Sequence, residues 1–218
     1  MKKVLLTSII LFAASSIIWS QKFGFDIRIG MSPAAHPVTA DLIVGRENPH
    51  NEFLFNLVRV EPQFYGGLRV HKQLKAPFFL EGGLTYTRRT SQYQVNYRMP
   101  QTEPGSQHLI MKESEDILQL PLEIGVSLGR IDVTSGLTIM KTLSSQNELT
   151  HLNGFSAENN TLKWGWQMGV RYGIKRVMAG IEYQGSMQRV CQGMYVNEKP
   201  LEIMNVPGRF VFSLQYRF

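Results

Sequence analysis

The chain carries one cysteine, Cys191, so an internal disulfide is impossible and a thiolate metal centre has no second sulfur. It has no blocks of like charge. Lys and Arg outnumber Asp and Glu by 23 to 17, but they are scattered singly, which excludes the basic patch or stripe that a nucleic acid requires. Nor is there an apolar run long enough for a spanning helix. The longest, Val4 to Trp19, is shorter than the ~20 residues such a helix needs. No linker, low-complexity tract or repeat interrupts the rest, so residues 21–218 read as one domain.

What the N-terminus does have is Lys2 and Lys3 ahead of that apolar run and the small residue Ser20 after it, the arrangement of a secretory signal cleaved before Gln21. Residues 1–20 are therefore read as a signal peptide, and its removal lowers the net charge from +6 to +4. No cysteine follows it to accept a lipid. Phe23-Gly24-Phe25-Asp26-Ile27-Arg28-Ile29 already alternates apolar and polar, as a strand does. With helical spans excluded, a membrane protein of this sequence has to be a closed barrel, the other architecture that satisfies every backbone polar group in lipid.

The C-terminus repeats the pattern. Phe210, Phe212, Leu214, Tyr216 and Phe218 share one parity, and Val211, Ser213, Gln215 and Arg217 the other. Side chains alternate across a strand, so one set faces hydrocarbon and the other a closed interior. Eight segments read this way: 22–32, 57–71, 77–90, 116–129, 130–142, 161–174, 176–189 and 208–218. Short connections alternate with the long ones at 33–56, 91–115, 143–160 and 190–207. The expected fold is all-β, an eight-stranded antiparallel transmembrane barrel with short periplasmic turns and long extracellular loops.

Charges set the register. A slip of one residue exchanges the two faces of a strand, and each Lys or Arg turned outward at the bilayer midplane costs about 2 to 4 kcal/mol. The register that avoids this points Arg28, Arg59, Arg69, Lys163, Arg171 and Arg217 inward with Asp26, Glu61, Glu81, Glu123, Asp132 and Glu182. Equal numbers of bases and acids allow mutual neutralisation in a confined space, and eight strands enclose only what side chains can fill. A salt-bridged plug follows, not a channel. Arg88 and Lys141 fall on the lipid parity at strand ends, where long side chains reach the headgroups. Trp164, Tyr86, Tyr183 and Tyr216 would form aromatic girdles.

Ile117-Leu118-Gln119-Leu120-Pro121-Leu122-Glu123-Ile124-Gly125 and the terminal Tyr216-Arg217-Phe218, set in this order of signal and alternating segments, resemble the PorT-like barrel group and more distantly the OmpX- and OmpA-type barrels. The resemblance implies a bacterial outer-membrane protein in contact with outer-membrane lipid and lipopolysaccharide. It also implies protein partners, as an accessory or structural subunit of a protein-secretion or membrane-protein-assembly machine of the cell envelope. The alternative is a lipid-modifying hydrolase or acyltransferase. That activity needs a nucleophile and a base on neighbouring strands, whereas His36, His50, His71, His108 and His151 all fall in or beside expected connections without a motif spacing. Neither a catalytic residue, a metal ligand nor a cofactor site is expected, and the loops are the expected interaction surface.

Overall fold

A computed structural model describes residues 23–36, 42–44, 52–98, 107–151, 155–157, 162–187, 194–196, 199–200 and 208–218. The signal peptide read at 1–20 and Cys191 lie outside them. The strands are β1 (Phe23–Ser32), β2 (Leu42–Val44), β3 (Glu52–Val60), β4 (Gln63–Gln73), β5 (Phe78–Arg98), β6 (Gln107–Leu128), β7 (Ile131–Asn147), β8 (Phe155–Ala157), β9 (Leu162–Ile174), β10 (Val177–Ser186), β11 (Met194–Val196), β12 (Lys199–Pro200) and β13 (Arg209–Arg217). Among the described residues a single 3-10 turn, Glu148–His151, follows β7. Among the described residues no helix is long and apolar enough to cross a membrane.

All strand pairs are antiparallel. Ten strands form one sheet in the order β2-β3-β5-β4-β1-β13-β10-β9-β7-β6, and a further pairing of β5 with β6 closes it into a ring. The first and last described strands meet at the seam between β1 and β13, where Ile27 lies opposite Tyr216 and the Phe218 amide donates to the Phe25 carbonyl at 2.9 Å. β8, β11 and β12 form a separate three-stranded sheet.

Two of the tight hairpins have two-residue turns. Gly129-Arg130 joins β6 to β7, and Lys175-Arg176 joins β9 to β10; the first residue of each has positive φ, 70° at Gly129 and 56° at Lys175. That hand of turn matches the right-handed twist of the flanking strands. The third short connection, between β4 and β5, contains a cis Ala76-Pro77 bond.

The opposite ends of the strands reach much further than their apolar alternation. β6 has 22 residues and β5 has 21, about twice the 9 to 11 that cross a bilayer. The connection expected over 91–115 is therefore largely a paired ribbon, with Tyr97 opposite Gln107. Apolar alternation does not mark it because its outward positions, Gln92 and Gln94 on β5 and Lys112 and Ser114 on β6, are polar.

The segment expected as one strand over 57–71 is also different. It is divided into β3 and β4 at Glu61-Pro62, since Pro62 has no N–H to give the ladder, and a second irregularity falls between Leu57 and Arg59. Each irregularity moves the alternation by one residue. Leu57, Val60 and Gln63 consequently all point inward.

Candidate functional site

The interior is where the charges collect. Arg69 Nη1 lies 2.9 Å from Glu81 Oε1 and also contacts Glu123, while Arg171 Nη1 reaches the same Glu81 oxygen at 2.8 Å. Side-chain exposures in this group are between 0 and 3%. Arg171 also donates to Gln215 Oε1 at 2.9 Å, and Gln215 Nε2 donates to Asp26 Oδ2 at 2.5 Å. Arg217 extends the chain of contacts toward the turn end, 3.2 Å from Asp26 and 3.9 Å from Asp132. Arg28 pairs with Glu182 at 2.5 Å. Gln167, fixed by the Thr138 hydroxyl at 3.0 Å, donates to Glu123.

Strand geometry brings these groups together from most of the circumference: β1, β4, β5, β6, β7, β9, β10 and β13 each contribute a member. Glycines make the room. A Cβ at Gly125 would collide with the Phe79 ring, which closes the turn end of the lumen beneath Arg171, and a Cβ at Gly180 would collide with the Arg171 side chain. Bases and acids removed from water need this degree of mutual contact, because an unpaired ion in a confined space costs several kcal/mol.

The outward face is apolar through the same levels. Phe25, Phe64, Leu68, Leu122, Ile124, Val170, Phe212 and Leu214 are all exposed, Phe64 at 71%. This belt ends at a polar rung in which Asp116 accepts from Tyr86 at 2.7 Å and Ser144 at 2.6 Å, opposite Arg88. Lys141 is exposed one pair away. Trp164 and Tyr216 are exposed with Tyr86. Tyr183, by contrast, is half-buried between the Trp166 and Phe210 rings, at 5.5 and 5.1 Å.

Of the residues expected inside, Asp26, Arg28, Arg69, Glu81, Glu123, Asp132, Arg171 and Glu182 are buried, and Lys163 and Arg217 point into the lumen with part of their surface exposed. Arg59 and Glu61 do not belong with them. Arg59 is exposed, and Glu61 lies on the outer surface, accepting from Gln92 at 2.7 Å and facing Lys112 at 3.7 Å. The shifts of alternation at Val58 and at Glu61-Pro62 turn both residues out.

Four inward ions were not among those expected: Arg89, Glu113, Glu115 and Arg209. Their parity was available, since Arg89 continues the Glu81 series, Glu113 and Glu115 the Glu123 series, and Arg209 the Arg217 series. Arg89 Nε donates to Glu115 at 2.9 Å and Lys163 Nζ lies 3.1 Å from its other oxygen. Burial alone would raise the Glu115 carboxyl, but the charges of Arg89 and Lys163 outweigh it and hold the group at about 2. Glu113, one step further from the belt, has no cation in contact among the described residues. It accepts from Tyr93 at 3.0 Å and Asn147 at 3.3 Å, and burial together with the Glu115 charge pushes it up to about 7. Among the described residues no group of three or more His, Cys, Asp or Glu is placed to hold a metal.

No family model matches the chain, and no curated protein matches it. Among solved structures it is similar to the outer membrane protein Ail of Yersinia pestis in a phospholipid bilayer nanodisc, at 12% identity and a TM-score of 0.41, over 90% of this chain and 100% of that one. It is also similar to the NanC porin, at 8% identity and a TM-score of 0.29, over 89% of this chain and 100% of the other.

Proposed function

We propose that the chain is an integral protein of the bacterial outer membrane: an eight-stranded barrel with short periplasmic turns, exported by a signal peptide at 1–20, sealed through its middle and non-enzymatic. Its working part is the external ribbon of β5, β6 and β7 with β3 alongside, which serves as a docking element for another envelope protein. On this reading it is an accessory or structural subunit of a secretion or membrane-protein-assembly machine, seated in lipid and lipopolysaccharide.

The observation that carries the proposal is the sorting of side chains around one ring. Exposed Phe, Leu, Ile and Val cover the outside over the levels where Arg69, Glu81, Glu123 and Arg171 fill the inside. Water would leave the outer face unsatisfied, and hydrocarbon satisfies it. The ion-paired interior leaves no aqueous path of the width that larger porins enclose. Above the belt, Ile110 is exposed on β6 at 66%, beside the polar group of Glu61, Gln92 and Lys112. An apolar spot with a polar surround is the composition of a protein contact.

A photo-crosslinking amino acid placed at Ile110 or at Leu122 in native membranes tests both halves. Ile110 should capture a protein and Leu122 only lipid. Protein adducts at neither position, together with recovery of the chain alone in gentle detergent, would remove the accessory role. A stable large conductance in planar bilayers would remove the sealed lumen.

A further inference from the structure

Above the ion pairs of the middle, the lumen widens into a cavity of about 70 Å³ at the external mouth. Its walls present three cations, Arg89, Lys163 and Arg209, with the amides of Gln63, Gln119 and Gln184, and no lining residue is acidic. Among the described residues the one carboxylate in contact with these cations, Glu115, bridges Arg89 and Lys163. Arg209 is held by neutral groups. Its guanidinium donates to Gln184 Oε1 at 3.0 and 3.2 Å and to Gln63, and it lies 5.1 Å over the Tyr65 ring. Gln119 is only 3% exposed, yet its Nε2 has no acceptor among the described residues. A buried donor left this way costs about 1 to 3 kcal/mol.

Three confined cations against two carboxylates, Glu115 in contact with them and Glu113 one step further out, leave the chamber net positive, and the apolar wall around it keeps the field unscreened. Arg and Lys with amide N–H donors form the set that binds phosphate oxygens by charge-assisted hydrogen bonds. The volume exceeds several-fold the space that one water occupies on the same measure, so a group of a few heavy atoms fits. We propose that this mouth chamber binds a phosphate group, with Arg209 and Lys163 as its cationic donors and Gln119 Nε2 as a neutral one. The group can arrive as free phosphate or on a lipid headgroup. The site stands on the closed barrel alone and is independent of what docks on the external ribbon.

The full chain, folded in maltoside micelles in phosphate-free buffer, is titrated with inorganic phosphate and separately with monomeric dihexanoyl phosphatidate, at an ionic strength held constant with chloride. Isothermal titration calorimetry should show a saturable heat of binding. Arg209→Gln and Lys163→Gln should each weaken binding about tenfold or more, the loss of one charge-assisted contact, while Lys141→Gln on the outer surface leaves it unchanged. Circular dichroism establishes that each variant is folded. Saturation by phosphate assigns a free ion, and saturation by phosphatidate alone assigns a headgroup. No saturation with either, or unchanged affinity in both folded charge variants, overturns the proposal.

Discussion

The middle of the lumen and its external mouth are built from the same residue types and solve opposite electrostatic problems. In the middle, Arg28, Arg69, Arg171 and Arg217 meet Asp26, Glu81, Glu123, Asp132 and Glu182, so among the described residues acids exceed bases by one and single oxygens are shared between cations. At the mouth Arg89, Lys163 and Arg209 exceed Glu113 and Glu115, and Arg209 rests on amides and a ring. The difference follows from surroundings. On the proposed seating, lipid encloses the middle on all sides, so its ions must compensate one another, whereas the mouth opens away from the bilayer and can carry an excess.

The comparison breaks most easily at Arg171. Replacing it with Leu removes one of the two cations on Glu81 and the donor to Gln215 and raises the excess of buried acids from one to two, which should cost about 3 to 5 kcal/mol in urea unfolding from lipid vesicles. Arg59→Leu, on the exposed surface of β3, should cost less than about 1 kcal/mol. Similar losses for the two would mean that the middle is not a compensated network.

The outer surface sharpens the same contrast with a somewhat smaller effect. Leu122→Arg places a cation within the apolar belt and should destabilise by about 2 to 4 kcal/mol, while Ile110→Arg beyond the Asp116 rung should cost about 0 to 1 kcal/mol. Paired unfolding measurements in vesicles check this. Equal costs would move the bilayer boundary away from Asp116.

Legibility in the sequence divides at the same boundary. Below it, on the proposed seating, one face meets lipid, so apolar and polar residues must alternate, and Asp26, Glu81, Glu123 and Arg171 could be placed from parity alone. Above it both faces of a strand meet water or polar neighbours, the alternation loses its contrast, and the paired ribbon of β5 and β6 reads as a loop. Glu113 and Glu115 were lost with it although they keep the parity of Glu123, whereas Lys163 was placed, and Arg89 and Arg209, near the ends of expected strands, were passed over. Arg59 and Glu61 failed for a different reason. Their alternation was regular, but two irregularities in the backbone reset it, and of the two only Pro62 leaves a mark in the sequence.

The subtlest consequence of the comparison concerns protons. Glu113 sits on β6 where the ribbon leaves the belt, and the charged or titratable groups acting on it are Glu115 on its own strand, Arg89 and Tyr93 on β5 and Lys163 on β9. Its folded value of about 7 stands above the ordinary 4.5, so the folded ribbon binds a proton that the unfolded one releases. Stability from this group is complete below about 4.5 and declines as pH rises through 7. Over that window the ribbon should loosen by on the order of 2 kcal/mol, seen as faster proteolysis or lower amide protection in the outer parts of β5 and β6. Glu113→Gln, which keeps the shape and cannot ionise, should abolish the dependence and leave the belt-enclosed strands unaffected. An equal pH response in that variant would place the titration elsewhere, and a response spread evenly over the barrel would mean that ribbon and belt unfold as one unit.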